Sequence, residues 1–170
     1  MFKRYEKYQN IVVVGPHRSG TTFTAHAIAH DLNRVAVDEK VFKHSNMSIL
    51  SDLLSAGKNY IIQAPQALPW LQILLNPGDL AVYVERDHEA IAESYRRSKT
   101  QKRRKIPPAP FTPYQAFAMW CRTFINLPAS DMIHYEDLVS HPLFIPKKDR
   151  RPWHYKQVDK TGTWYEKKKY

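Results

Sequence analysis

Residues 10–23, written NIVVVGPHRSGTTF, decide how the rest of the chain is read. The aliphatic run from Ile11 to Val14 fits a short strand buried on both faces. It enters a loop bounded by Gly15 and Gly20. The run from Thr21 to Leu32 (TTFTAHAIAHDL) then shows helical spacing, with Phe23, Ala27 and Ile28 on one side. A strand that ends in a glycine-bounded loop and runs into a helix gathers backbone N–H groups around an anion. The helix dipole strengthens that attraction. The stretch predicts an anion-binding loop; the competing reading is an incidental glycine turn.

Working outward, further strands are predicted at 34–37, 59–63, 79–85 and 131–135. Helices are predicted at 47–55, at 66–75 with Pro69 in its first turn, from 87 to about 98, and at 114–125. Strands alternating with helices imply an α/β architecture, a three-layer fold with a mainly parallel central sheet. The basic, proline-rich 99–113 reads as a mobile loop. Beyond Pro142 no period is visible. The expected organisation is one domain over 1–146, with a basic aromatic segment, 147–170, packed on it or closing it.

The 170 residues carry a formal charge of +10, unevenly spread. Seven basic residues and no acid fall within 96–105, and 147–170 is +6, which leaves −3 for everything else. A near-neutral body with two basic segments attracts polyanions, whether a nucleotide phosphate, an anionic polymer or a nucleic acid. The bland alternative is a pair of solvated charge runs. A single cysteine, Cys121, leaves no internal disulfide and no cysteine-based metal cluster. No apolar run approaches the roughly 18–20 residues that cross a bilayer. The polar N-terminus lacks a signal-peptide core, so a cytoplasmic protein without a membrane partner is expected.

The two glycines stand five apart, as in the nucleotide-binding phosphate loop. In that pattern a lysine follows the second glycine, and a hydroxyl next to it holds Mg²⁺. Here Thr21 and Thr22 follow Gly20, and the cation sits earlier, at Arg18. The run Pro16-His17-Arg18-Ser19-Gly20-Thr21-Thr22-Phe23 resembles the phosphosulfate loop of the sulfotransferases, which use 3′-phosphoadenosine 5′-phosphosulfate (PAPS). A second stretch, VYVERDHEAIAESY, places Arg86 at a strand end and Ser94 eight residues later. It is similar to that family's 3′-phosphate motif. Softer likenesses are His134-Tyr-Glu-Asp-Leu138, a late strand end there, and Lys160-Thr-Gly162, near a loop that closes over the 3′-phosphate.

The resemblance implies a P-loop fold, PAPS as co-substrate and no metal. It implies cofactor binding by His17, Arg18, Ser19, Gly20, Thr21, Thr22 and Phe23, with Phe23 against the adenine or packed in the core. Backbone N–H groups from Arg18 to Thr22 would hold the 5′-phosphosulfate. Arg86 and Ser94, together with Lys160 and Gly162, would hold the 3′-phosphate. Arg18 would stabilise charge on the leaving oxygen.

Transfer to a hydroxyl or amine also needs a base. Where some members carry a histidine after the third strand, this chain has Gln63-Ala64-Pro65. Asp38 or Glu39 is a candidate by analogy with other members, Glu39 slightly ahead; His44 and His17 are further candidates. The acceptor is unspecified, a glycan or small molecule, and the basic segments would suit an anionic one. Two other readings stay open. One is a small P-loop nucleotide or metabolite kinase. The other is a non-catalytic nucleotide- or nucleic-acid-binding protein, although no nucleic-acid-binding signature accompanies the basic segments.

Overall fold

The computed structural model describes residues 1–42, 46–102, 111–144, 153–158 and 164–169. Five parallel strands make the central sheet: β1 (Ile11–Val14), β2 (Ala36–Val37), β3 (Ile61–Gln63), β4 (Leu80–Glu85) and β5 (Ser130–His134), in the order β2-β3-β1-β4-β5. β1 lies at the centre, pairing Ile11 with Ile61 on one side and with Leu80 on the other. All four of its residues are fully buried, as the unbroken apolar run requires.

Because side chains alternate along a strand, β1 feeds two cores. Val12 and Val14 join Ala81 and Tyr83 beneath α2 (Met47–Ser55), α3 (Leu71–Leu74) and α5 (Pro113–Thr123). Ile11 and Val13 join Val82, Val84 and Ile133 beneath α1 (Thr21–Leu32) and the N-terminal turn bearing Phe2 and Tyr5. The result is the expected three layers. α1 stops at Asn33, which adopts a left-handed φ of 51° and donates its N–H to His30 O at 3.2 Å. α4 (His88–Lys102) starts at Asp87, whose Oδ1 accepts the Ala90 N–H at 2.8 Å. Thr112 and Gln115 form a reciprocal capping box at the start of α5.

The parallel sheet orients the molecule. At its N-terminal end Asn10 and Asp79 are fully buried and tie β1, β3 and β4 together. Asn10 Nδ2 donates to Asp79 Oδ1 and to Leu54 O, each at 2.9 Å, while Asn10 Oδ1 accepts the Tyr60 N–H at 3.1 Å. Asp79 Oδ2 accepts the Asn76 N–H at 2.9 Å. The C-terminal end carries the glycine loop.

Four details differ from the sequence expectation. The second strand is only two residues long. The helix expected at 66–75 is a 3-10 stretch, Pro65–Trp70, followed by one α-turn, because Pro65 and Pro69 bring no N–H to an α-ladder. α4 runs on through Lys102, so the start of the expected 99–113 loop is helical; Lys and Gln favour helix and no proline intervenes until Pro107. Finally, β6 (Trp153–Val158) and β7 (Trp164–Lys169) form an antiparallel pair where no element was expected. Their mixture of aromatic and charged residues, WHYKQV and WYEKKK, hides strand alternation.

Candidate functional site

The loop closes because two positions tolerate only glycine. Gly15 has φ 147°, and a Cβ there would stand 2.7 Å from Val84 O. Gly20 has φ 102°, and a Cβ there would run into the Tyr135 ring. Between them Arg18 adopts a left-handed φ of 73°, uncommon for a residue with a side chain and costing on the order of 1 kcal/mol. The Ser19 N–H turns back to Pro16 O at 3.1 Å. The Ser19 N–H is thus engaged within the loop, in the run from Arg18 to Thr22 where the resemblance places backbone donors.

The donors of α1 remain. Thr21 and Thr22 begin the helix, so their N–H groups have no intrahelical acceptor, and Gly20 brings no capping side chain. Ser19 is fully buried, and its Oγ has no hydrogen-bond partner. That oxygen lies 3.0 Å from the point where a Cβ on Gly15 would stand, so it packs against the start of the loop. A buried hydroxyl left without a partner costs free energy unless a ligand satisfies it. Loop, open helix terminus and orphaned hydroxyl together leave hydrogen-bonding capacity of the kind an anion can use.

Arg86 ties this loop to the neighbouring strand ends. It follows β4, donates from Nη1 to Arg18 O at 2.9 Å, and lays its guanidinium 4.4 Å from the centre of the Tyr135 ring. Its Nε is buried without a hydrogen-bond partner. Tyr135, directly after β5, thus packs against both Gly20 and Arg86. The sequence likeness of 134–138 to a late strand end does not single out Tyr135; an aromatic ring directly after the last parallel strand is the signal that could have.

On the other flank, Gln63 ends β3. Its Nε2 donates to Thr21 Oγ1 and its Oε1 accepts the Glu39 N–H, both at 3.3 Å. In the sequence Gln63 stands out only for occupying the segment where some sulfotransferases carry a histidine. Asp38 is buried, and its Oδ1 accepts the Lys40 N–H at 2.9 Å, so its carboxylate serves the turn that carries Glu39. Glu39, half-buried, follows Asp38 in that turn.

The structure therefore gathers Arg18, Ser19, Gly20, Thr21, Thr22 and Arg86 at one end of the sheet, with His17 in the same loop. Ser94 lies half-buried in the second turn of α4, and no hydrogen bond joins it to Arg86, whose fork points to the loop instead. Phe23 packs edge-on against Tyr135, His141 and Phe144, which places its ring in an aromatic cluster on α1. His44, Lys160 and Gly162 lie outside the described residues. Beside Arg86 a cleft of about 530 Å³ opens beyond the ends of β4 and β5, lined by Glu85, Asp87, His88, Tyr114, His134 and Glu136 among others. Ligands of open parallel sheets bind at this end.

A second polar cluster lies apart from the loop. His30, Asp31 and His141 bring ligand-type atoms within 4.8 Å of one another. The Leu143 N–H donates to His141 Nδ1 at 3.1 Å, so that nitrogen is unprotonated and Nε2 carries the hydrogen it gives to Asp31 Oδ1 at 3.0 Å. A metal at Nε2 would need an imidazolate. Burial pushes the Asp31 carboxyl up, but the Met1 ammonium, the Phe2 N–H and the two histidines outweigh it and hold it well below the usual carboxylate range. The cluster is an internal clasp.

No protein-family model and no curated protein matches the chain. Among solved structures it is similar to shikimate kinase from Acinetobacter baumannii in complex with shikimate, with a TM-score of 0.50 and 15% identity over 81% of this chain and 92% of that one. A chain from Chloroflexus aurantiacus assigned provisionally as a kinase has a TM-score of 0.47 and 15% identity, over 82% and 92%. At 15% identity the shikimate kinase likeness bears on architecture alone: the chain has a P-loop α/β fold. Among the described residues, no helix is long and apolar enough to cross a membrane.

Proposed function

We propose that the chain binds PAPS and transfers its sulfuryl group to a hydroxyl or amine acceptor. The observation that carries this reading is the distribution of cations around the loop. The residue after Gly20 is Thr21, and its buried side-chain neighbour is the amide of Gln63. The Arg86 guanidinium reaches the backbone carbonyl of Arg18, so the cations lie within and beside the loop instead of after its second glycine. Phosphoryl transfer from a nucleoside triphosphate draws on a loop lysine, and on Mg²⁺ held by a hydroxyl and a carboxylate. A sulfuryl group carries less charge and can be moved by hydrogen-bond donors and arginine alone.

In the reaction the acceptor oxygen or nitrogen attacks sulfur, and the bond from sulfur to the bridging phosphate oxygen breaks. 3′-Phosphoadenosine 5′-phosphate (3′,5′-ADP) leaves with that bond's electron pair, and the acceptor's proton passes to a base, for which Glu39 is the candidate. The loop N–H groups would hold the 5′-phosphate, and Arg18 would face charge growing on the leaving oxygen. Arg86 would serve the 3′-phosphate by swinging its fork from the Arg18 carbonyl, with Ser94 as its companion.

The phosphoryl-transfer alternative draws its support from the shikimate kinase likeness, which fits a small P-loop kinase better than a sulfotransferase. Calorimetric titration with 3′,5′-ADP, ATP·Mg²⁺ and 5′-AMP in parallel separates the two. Preference for 3′,5′-ADP without metal is the expected result. Preference for ATP·Mg²⁺ would replace sulfuryl transfer by the kinase reading.

A further inference from the structure

We infer that Gln63 is a positioning residue that makes Thr21 an obligate donor to the bound anion. This rests on the reading of the loop as the seat of a nucleotide phosphate. Gln63 is 4% and Thr21 5% exposed, so water does not compete freely for either side chain. An amide has a donor end and an acceptor end, and here both are committed. Nε2 gives its hydrogen to Thr21 Oγ1, and Oε1 takes the N–H of Glu39.

A hydroxyl whose lone pair already accepts a hydrogen bond has its own hydrogen to give, and polarisation by the first bond strengthens the second. Thr21 opens α1, where the N–H groups and the helix dipole favour an anion. The Gln63 bond thus fixes the sense of the Thr21 hydroxyl toward donation at a position where the triphosphate loops use lysine. The other end of the amide holds the Glu39 backbone, so Gln63 links the turn bearing the candidate base to the start of α1.

Two side chains that act as one unit give non-additive losses, which a double-mutant cycle reads directly. Wild type, Gln63→Leu, Thr21→Val and the double variant are titrated with 3′,5′-ADP, or with ATP·Mg²⁺ if wild type prefers it. Each single substitution should weaken binding about tenfold, and the double variant should be no weaker than the worse single. Additive losses, near a hundredfold in the double, would overturn the role of Gln63 and leave the nucleotide reading intact. A non-additive cycle read with ATP·Mg²⁺ would sink sulfuryl transfer and leave Gln63 standing. Failure of wild type to bind any of these ligands ends both.

Gln63→Glu guards against a purely structural effect. The introduced carboxylate accepts from Thr21 and reverses its hydroxyl, but regains a hydrogen to donate when protonated. Its affinity relative to wild type at the same pH should fall at least tenfold at pH 8 and recover by pH 5. A ratio that does not change with pH counts against the inference. If Gln63→Leu does not fold, this variant and the Gln63 side-chain amide signals decide the matter. Those signals should shift in wild-type protein on titration and not in Thr21→Val.

Discussion

At the N-terminal end of the sheet, Asn10 and Asp79 lie fully buried, and their side-chain amide and carboxylate oxygens all have partners. At the C-terminal end, Ser19 is just as buried, yet its Oγ has none, and neither has Arg86 Nε. Both ends bury polar side chains, an amide and a carboxylate at one and a hydroxyl and part of a guanidinium at the other. Their difference is whether hydrogen-bonding capacity has been used up in folding. A saturated polar cluster holds strands together; an open one has capacity left for a ligand. The His30–Asp31–His141 cluster belongs with the first kind despite its metal-like composition, because the backbone N–H of Leu143 fixes the His141 tautomer.

The contrast breaks most visibly if the saturated end is cut. Asn10→Ala removes two donors and an acceptor and takes the side-chain partner from the Tyr60 N–H and the Leu54 carbonyl, while Asp79 Oδ1 keeps only the backbone N–H of residue 10. It should cost about 3 kcal/mol of stability in urea denaturation. Nucleotide affinity of the folded fraction should change less than twofold. A large affinity loss with little loss of stability would mean that the two ends are not separate in function.

Arg86→Ala is the mirror experiment. The proposed reading expects about a hundredfold weaker 3′,5′-ADP binding, roughly 2.7 kcal/mol, with a denaturation midpoint close to wild type. The Nη1 bond to Arg18 O contributes to the loop but lies at the protein surface. If stability falls while affinity holds, Arg86 is a strut for the loop and not a phosphate ligand. Gly20→Ala comes next in size. It forces φ 102° on a residue with a Cβ and drives that Cβ into Tyr135, for a loss of about 2 kcal/mol in stability and a displaced loop. Tyr135→Leu in the same chain should recover part of the stability, and no recovery would show that the ring is not what Gly20 accommodates.

Much of this division was legible in the sequence. The apolar run at Ile11–Val14, the glycines at 15 and 20 and the helical spacing after Thr21 gave the strand, loop and first helix at the bounds the structure shows. The family resemblance groups Arg18, Thr21 and Arg86, and the structure does set Arg86 against the loop at Arg18. What escaped depends on contacts between distant segments. Gln63 looks like a polar strand end until the sheet order sets β3 beside β1. Tyr135 looks like part of a strand terminus until its ring meets Gly20. The orientation of Arg86 toward Arg18, and not toward Ser94, follows from where the loop carbonyl points.

The Asp31 clasp gives the smallest effect and the sharpest test of what saturation means. Its carboxyl has a folded pKa below the unfolded value of about 4, so the folded state binds the proton less readily than the unfolded chain. The stability it contributes is complete above that unfolded value and is lost as pH falls toward the depressed folded one. Asp31→Asn should therefore cost about 1 kcal/mol at pH 7, and the gap from wild type should close as the pH drops below 4. Nucleotide binding should not change at pH 7, and a chelator should leave the wild-type midpoint where it was. A gap that persists undiminished to pH 2 would mean that shape, and not charge, holds the clasp. A chelator-sensitive midpoint would mean that His141 ligates a metal after all, which its bond from the Leu143 N–H opposes.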